Sequence, residues 1–277
     1  MNVTFVGGGN MATALIGGLV ARGADRRDFR VVEPARGQQD KLTARFPGIG
    51  IFTEPTAGAV TGAELVVVAV KPQQMREAAQ ALASHIGDVD VVMTIAAGVR
   101  IASLSQWLGG YRRIVRAMPN TPALVGAGIA GAYASAEVDD AGRALADSAL
   151  EAVGEVIWVA REDMLDAVTG ISGSGPAYAF YFLEALEESA RELGFGDADA
   201  RKLAYATFAG AIKLAQASEL APATLRAQVT SKGGTTERAV AVLDERAVKA
   251  SFVAAVKAAA ARARELGDEQ AGTAVRT

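Results

Sequence analysis

Short apolar runs alternate with longer segments of helical periodicity along the first half of the chain. The runs are brief and rich in β-branched residues, which is typical of strands, whereas the segments between them repeat apolar residues at the spacing of one helix face. Residues 65–70 are wholly apolar, as expected of a central strand that is covered on both faces. The predicted strands cover residues 3–6, 29–32, 50–52, 65–70, 89–95, 113–117, 128–132 and 155–159, and helices are predicted at 11–22, 38–45 and 73–84.

This alternation favours βαβ units, and therefore an α/β fold with an N-terminal, parallel, doubly wound sheet. The pattern changes near residue 160, beyond which the chain is Ala-rich and helical, with amphipathic segments at 177–194, 198–218 and 235–265. We therefore predict two domains, residues 1–160 and residues 161–277, the second all-α, with a loose end over the last dozen residues. Helices rich in small residues pack closely, which suits a dimer interface, although a monomeric helical bundle fits the composition equally well.

A glycine-rich turn separates the first predicted strand from the first helix. Residues 7–12 read GGGNMA and match G-x-G-x-x-A in the required context. Gly7 permits the tight turn, Gly9 lets the backbone approach a pyrophosphate, and Ala12 lets the helix pack on the strand. Free N–H groups at the helix N-terminus favour an anion. The turn predicts a Rossmann-type dinucleotide site, with a purely structural turn as the weaker alternative.

The residues after the second predicted strand bear on which dinucleotide is bound. Glu33 lies at the carboxyl end of that strand, where a carboxylate bonds the ribose hydroxyls of NAD and repels a 2′-phosphate. Arg36, three residues later, is placed to clamp such a phosphate instead. The residue chemistry leans slightly to NADH and leaves the preference open, because Glu33 is also compatible with a solvated strand end.

Three further loops follow predicted strands at the edge where a doubly wound sheet binds its ligands. Lys71, next to Pro72, is placed to reach a phosphate or ribose, or is merely solvated. Residues 95–98 (IAAG) are small and leave room for a flat ring. Asn120 lies in a proline-braced polar loop that suits a site wall, with a plain turn as the alternative.

A second glycine turn occurs in the helical half, where residues 233–236 read GGTT and precede a predicted helical run at 237–243. Glycines at a helix start expose backbone N–H groups, which suits a small carboxylate. A threonine hydroxyl there can also bind substrate. The alternative is a helix N-cap, which stabilises a helix by about 1 kcal/mol without any ligand.

Composition removes several kinds of chemistry. The chain has no cysteine and one histidine, so cysteine-based metal sites, thiol nucleophiles and histidine clusters are excluded and no metal site is expected. His85 lies away from every motif and is assigned no catalytic part. The net charge of −3 gives no case for nucleic-acid binding. Residues 1–21 are uncharged, but glycine, asparagine and threonine interrupt them, so we predict no membrane or export segment and a cytoplasmic protein.

Six sequence blocks occur in an order that resembles one known family, the pyrroline-5-carboxylate reductases, over about residues 3–265. The first is shared with many dehydrogenases, whereas PNTP, SGSGPAY and GGTT are more particular to this family. The blocks are FVGGGNMA at 5–12, AVKPQ at 69–73, AAGV at 96–99, RAMPNTPA at 116–123, SGSGPAY at 172–178 and GGTT at 233–236.

The resemblance implies a Rossmann domain and a helical dimerisation domain, with dimers that often assemble into decamers and a pocket completed across the dimer. It implies reduction of the cyclic imine 1-pyrroline-5-carboxylate to L-proline, the last step of proline biosynthesis, with NADPH or NADH. Thr236 would be the catalytic residue. The coenzyme would lie along Val6, Gly7, Gly8, Gly9, Asn10, Met11, Glu33, Ala69, Val70, Lys71, Pro72, Ala96, Ala97, Gly98 and Asn120. The substrate would be held by Glu219, Ser231, Gly234, Thr235 and Thr236.

Three positions depart from the family pattern. Lys232 stands where proline usually precedes the two glycines, Thr56 stands where some members have asparagine, and Glu33 replaces the small hydroxyl residue of NADPH-preferring members.

Two alternative functions stay open. A 3-hydroxyacid dehydrogenase would use a lysine in the first helix of the second domain, but residues 177–192 contain none. A non-catalytic dinucleotide sensor would have no need of the GGTT turn.

Overall fold

The computed structural model describes residues 1–275 of the chain. The first half forms one eight-stranded sheet in the order β3-β2-β1-β4-β5-β6-β7-β8, parallel except for the β6–β7 pair. The doubly wound sheet is confirmed, and the antiparallel pair is the feature that the alternation of elements did not reveal. The strands are β1 Val3–Val6, β2 Phe29–Val32, β3 Gly50–Phe52, β4 Leu65–Val68, β5 Val91–Thr94, β6 Ile114–Met118, β7 Gly128–Ala134 and β8 Gly154–Trp158.

Helices alternate with the strands up to β8, and from residue 164 to residue 275 the chain is helical apart from its turns. The α-helices are α1 Asn10–Ala21, α2 Arg36–Arg45, α3 Ala57–Val60, α4 Met75–Leu82, α5 Ile101–Trp107, α6 Asp140–Glu151, α7 Met164–Val168, α8 Gly175–Glu192, α9 Asp197–Gln216, α10 Pro222–Gln228, α11 Thr235–Glu245 and α12 Val248–Val275. A π-helical turn, Thr169–Gly173, links α7 to α8.

The sheet is buried on both faces. Leu65 and Val67 belong to one hydrophobic cluster together with α1, whereas Val66 and Val68 belong to a second cluster together with α4. Alternate residues of a strand point to opposite faces, so a wholly apolar strand feeds both clusters. Each fully buried side chain of this size contributes about 1.5–3 kcal/mol.

The chain divides by contact density into two compact units. One comprises residues 1–174 together with the segment from Ala258 onward, and the other comprises Gly175–Lys257. In the second unit, the rings of Tyr178 and Phe182 on α8 pack against Phe252 of α12, with centroids 5.5 and 5.8 Å apart.

One expectation for the helical half is wrong, and another is not tested. The segment predicted as one helix over residues 235–265 is two helices, because Ala247 between α11 and α12 adopts a φ of +52°. Helix α12 continues to Val275, and Arg276 and Thr277 lie outside the described residues, so the expected looseness of the last dozen residues stays a prediction. A short helix, α10, was also not predicted.

No helix in residues 1–275 combines the length and the apolar character needed to cross a membrane. Over the same residues, no three acidic or histidine side chains are grouped closely enough to hold a metal ion.

Candidate active site

The carboxyl ends of four parallel strands lie level with one another. Val6 of β1 pairs in register with Val32 of β2 and Val68 of β4, and Val68 pairs with Thr94 of β5. The loops that leave these strands therefore begin at one edge of the sheet. They carry Gly7, Glu33, Ala69 and Ala96 respectively, so the structure brings these predicted coenzyme residues to the same edge.

The glycine turn after β1 has a backbone that other residues do not readily adopt. Gly7 has a φ of +97° and donates its N–H to the carbonyl of Val32 at 2.8 Å. A Cβ on Gly7 would lie 2.9 Å from the carbonyl oxygen of Ala69, which is closer than real Cβ contacts allow. A Cβ on Gly9, by contrast, would meet no atom within 4 Å. Gly7 thus makes the turn, and Gly9 leaves open space beside it.

The N-terminus of α1 is suited to an anion. Gly9 is its N-cap and provides no side chain to accept a helix N–H, and the first turn contains no acidic residue. The first N–H groups of a helix have no partner within the helix. Ala12 is fully buried in the core, which lets α1 lie close to the sheet. The turn therefore fits the phosphates of a dinucleotide, and Gly9, Asn10 and Met11 would hold them.

The Glu33 carboxylate is held in place by two backbone groups. Gly8 donates its N–H to Oε2 at 3.0 Å, and Ala35 donates its N–H to Oε1 at 2.8 Å. Glu33 thus links the glycine turn to the segment before α2, and it is not simply a solvated strand end. Arg36 is exposed and pairs with Asp40 at 3.2 Å.

The loops after β4 and β5 differ in character. Ala69 continues the pairing of β4 by donating its N–H to Val6 at 2.7 Å. Val70 is half-buried, and the exposed Lys71 immediately precedes the 3₁₀ turn that Pro72 begins. Ala97 is half-buried and Gly98 is buried, in the loop that leads to α5.

Asn120 braces the loop after β6. Its Oδ1 accepts the N–H of Ile129 at 3.0 Å, and its Nδ2 donates to the carbonyl of Ser172 at 3.3 Å. The side chain is 8% exposed. This arrangement gives Asn120 a structural role in the loop, and a contact between Asn120 and the coenzyme stays a prediction.

A group of five charged side chains that was not predicted lies next to the β5–α5 loop. We call it the arginine–carboxylate cluster: Arg100, Arg116, Glu162, Asp166 and Asp268. Arg116 of β6 contacts Glu162 at 3.1 Å and Asp166 at 3.3 Å. Arg100 contacts Asp166 and Asp268, each at 3.2 Å. Burial alone would lower the pKa of Arg100, but Asp166, Asp268 and Glu162 outweigh it and raise that pKa.

The GGTT turn lies in the second unit, at the start of α11. Gly234 is the N-cap, so Thr235 and Thr236 are the first two residues of the helix and neither is its cap. The alternative in which a threonine caps this helix is therefore excluded. Thr236 is half-buried and Thr235 is exposed. The uncapped N-terminus offers backbone N–H groups to a small carboxylate.

Two side chains shape this turn. Gly233, with a φ of +72°, donates its N–H to Glu237 Oε2 at 2.6 Å, which resembles one half of a capping box, because Glu237 is the third residue of the helix. The Glu237 charge also reduces the positive potential of the helix end. Gly234 donates its N–H to the carbonyl of Ser231 at 3.0 Å, which brings Ser231 against the turn.

In the described part of the chain, Glu219, the remaining predicted substrate residue, makes no direct contact of this kind with the GGTT turn. Glu219 is exposed in the segment between α9 and α10, and within residues 1–275 no hydrogen bond or ion pair joins it to the turn at 231–236. Lys232 is also exposed.

Comparison with known proteins covers nearly the whole chain. A family model described as pyrroline-5-carboxylate reductase dimerisation matches residues 162–266. A second model, described as NADP oxidoreductase coenzyme F420-dependent, matches residues 2–98. The pyrroline-5-carboxylate reductase of Pseudomonas aeruginosa is 42% identical over 267 residues, which cover 96% of this chain and 97% of that protein. The Escherichia coli reductase is 36% identical over 256 residues, which cover 92% and 94% respectively.

Solved structures resemble the chain in the same way. A pyrroline-5-carboxylate reductase from Coxiella burnetii is 39% identical and has a TM-score of 0.89, over 96% of this chain and 98% of that one. The pyrroline carboxylate reductase of Plasmodium falciparum, solved with NADP bound, is 23% identical and has a TM-score of 0.86, over 96% and 98%. At 23% identity, the likeness to the Plasmodium falciparum structure shows the fold alone.

Proposed function

The chain belongs to the pyrroline-5-carboxylate reductase family and is an NAD(P)H-dependent reductase of 1-pyrroline-5-carboxylate, and we propose which of its residues perform that reaction. The observation that supports the assignment is a pair of glycine turns at helix N-termini, neither of which has a capping side chain. One would hold the dinucleotide phosphates and the other the substrate carboxylate. The product is L-proline, which makes this the last step of proline biosynthesis.

The coenzyme half of the proposal lies at the carboxyl edge of the sheet. Gly7 to Met11 would hold the phosphates by backbone N–H groups, with Glu33 at the ribose and the loops at 69–72 and 96–98 completing the site. When bound, NAD(P)H supplies the hydride. The chain's own task is to bind and orient it, because the cofactor carries the chemistry.

Substitution of Gly9 by alanine tests this half without disturbing the fold. Gly9 has a φ of −68°, and a Cβ there meets no protein atom within 4 Å, so Gly9→Ala should fold and melt as the wild type does. The methyl group would, however, occupy the space that a pyrophosphate needs. We expect the Kd for NADH and for NADPH, measured by fluorescence titration without substrate, to rise by about tenfold or more.

The matched control is Gly87→Ala, which also adds a methyl group in open space but lies between α4 and the amino end of β5, at the opposite edge of the sheet from the coenzyme loops. Its Kd values should equal those of the wild type. Unchanged coenzyme binding in Gly9→Ala would remove this turn from the coenzyme site.

The substrate half of the proposal lies at the start of α11. The N–H groups there would bind the carboxylate of the substrate, assisted by Ser231 and Thr235. Thr236 would hydrogen-bond the ring nitrogen and so orient the imine. A protonated imine is already electrophilic, so the protein needs chiefly to hold the reacting carbon about 3–3.5 Å from the hydride donor and to exclude water. Glu219 is included in the proposal on the resemblance alone.

The proposal extends to assembly and location. The match of residues 162–266 to a dimerisation model supports a homo-oligomer, and we propose a homodimer formed by residues 161–277, with residues 1–160 as the coenzyme domain. Further assembly of dimers into decamers, and residence in the cytoplasm, are finer parts of the same proposal. Mass measurement in solution distinguishes two chains from ten.

A further inference from the structure

The loop after β5 is fastened at its downstream end to the arginine–carboxylate cluster. Arg100 directly precedes α5, and its Nη2 lies 3.2 Å from a carboxylate oxygen of Asp166 and 3.2 Å from one of Asp268. The next residue, Ile101, donates its backbone N–H to Glu162 Oε1 at 2.8 Å. Three contacts therefore hold two successive residues at the end of the loop that carries Ala96, Ala97 and Gly98.

One of the carboxylates that anchor the loop, Asp166, is fixed in the core, whereas Asp268 is exposed. Arg116 is 2% exposed and Asp166 is 1% exposed. Replacing a buried ion pair with well-packed apolar residues is often neutral or stabilising, so the stability of the fold is a weak explanation for this cluster. Charge-assisted hydrogen bonds do impose direction, because a guanidinium group has a rigid, planar set of donors. The hydrogen bonds from Arg100 to Asp268 and from Ile101 to Glu162, together with the Arg100–Asp166 ion pair, therefore constrain the end of the loop.

Helix α12 covers the same loop. A Cβ on Gly98, whose φ is +73°, would lie 3.4 Å from the backbone nitrogen of Gly267 and from the Cβ of Leu266. A Cβ on Gly267 would lie 3.2 Å from Nε of Arg100. The backbones of loop and helix are thus packed closely, and Asp268 of the same helix turn pairs with Arg100. The loop is held by charge on one side and by packing on another.

We propose that Arg100 is a positioning residue for the coenzyme: through Asp166 and Asp268 it holds the loop at residues 96–98 in the conformation that binds NAD(P)H. This rests on the proposed function, in which the loop is part of the coenzyme site. Arg100 acts through the loop and does not itself touch the reacting atoms.

The test replaces Arg100 with methionine, which keeps the length of the side chain and removes its charge. The expected result is a rise of about tenfold in the Kd of NADH and of NADPH, which corresponds to the loss of one charge-assisted hydrogen bond. The Kd is measured by fluorescence titration in the absence of substrate. Both coenzymes should weaken equally, because β1 and β4 separate β5 from β2, the strand that precedes Glu33. The KM for pyrroline-5-carboxylate should not change, and Arg100→Lys should recover part of the binding.

Asp268→Asn provides a second variant that leaves the buried charges intact, because Asp268 is exposed. We expect its coenzyme Kd to rise by about threefold. The matched control is Arg112→Met, which removes an exposed arginine paired with Glu137 and should leave both Kd values unchanged.

Two results would overturn the proposal. The first is an unchanged coenzyme Kd in folded Arg100→Met, or in Asp268→Asn where Arg100→Met does not fold. The second is a rise in the KM of the substrate as large as the rise in the coenzyme Kd. A wild type that binds NAD(P)H but does not reduce pyrroline-5-carboxylate would contradict the proposed function alone, since the binding measurement needs no turnover.

Discussion

Replacing Thr236 with alanine is expected to lower kcat/KM for pyrroline-5-carboxylate by one to two orders of magnitude, about 1.4–2.7 kcal/mol of transition-state stabilisation. The reason is the proposed role of Thr236, whose hydroxyl would orient the imine nitrogen beside the N-terminus of α11. Thr236 is not the helix cap, so the substitution removes no capping hydrogen bond, and the helix should remain intact. Steady-state kinetics with each coenzyme saturating would measure the effect.

The control for Thr236 is Thr224→Ala, which removes an exposed threonine from the first turn of α10 in the same unit. Its kinetics should equal those of the wild type. Thr236→Ser retains the hydroxyl and should recover most of the rate. Comparing the pH dependence of kcat for wild type and Thr236→Ala then separates proton donation from orientation, because only donation would shift the profile. Wild-type kinetics in Thr236→Ala would remove this residue from the mechanism.

Replacing Glu33 with serine is expected to shift the ratio of NADH to NADPH affinity towards NADPH by about ten- to a hundredfold. The Glu33 carboxylate is fixed by the N–H groups of Gly8 and Ala35, so in the proposed site it would repel a 2′-phosphate on the ribose. Arg36 is paired with Asp40 and does not neutralise it. The wild type should therefore bind NADH more tightly than NADPH, as titration of both coenzymes would show.

Serine also removes the acceptor for Gly8 and Ala35, so both affinities should fall to some extent, and the ratio is the informative quantity. Glu33→Gln provides the matched variant, because it removes the charge and keeps the length of the side chain and one acceptor oxygen. A ratio that is the same in the wild type and in both variants would show that Glu33 does not select the coenzyme.

The strands were predictable because their burial follows from local composition. Residues 65–68 are apolar at every position, and the structure buries them on both faces of the sheet. The prediction extended this strand to residue 70, since Ala69 and Val70 are apolar too, but the chain leaves the sheet there to form the loop. Apolar character alone does not mark where a strand ends.

The break between α11 and α12 could not be predicted from local composition. The sequence around it contains no glycine or proline, and Ala247 adopts a positive φ that its own chemistry disfavours. The local sequence therefore gives no signal for this break. The contact of α12 with Gly98 gives no local signal either, because it joins residues that are far apart in the sequence.

The two glycine turns were predictable as local structure because each motif has a fixed spacing, and their roles as binding sites stay predictions. The arginine–carboxylate cluster has no such spacing. Arg116 was a usable signal, because a charged residue inside an apolar strand needs buried partners. Its partners Glu162 and Asp166 lie 46 and 50 residues further along, and only the fold brings them together.

The central claim is tested most directly by adding pyrroline-5-carboxylate to the purified protein and NADH or NADPH while following the absorbance of the reduced coenzyme. The account predicts loss of absorbance with formation of an equal amount of L-proline, and no reduction of NAD(P)⁺ when 3-hydroxyisobutyrate is the substrate. Coenzyme binding without turnover of either compound, or turnover of the hydroxyacid alone, would contradict it.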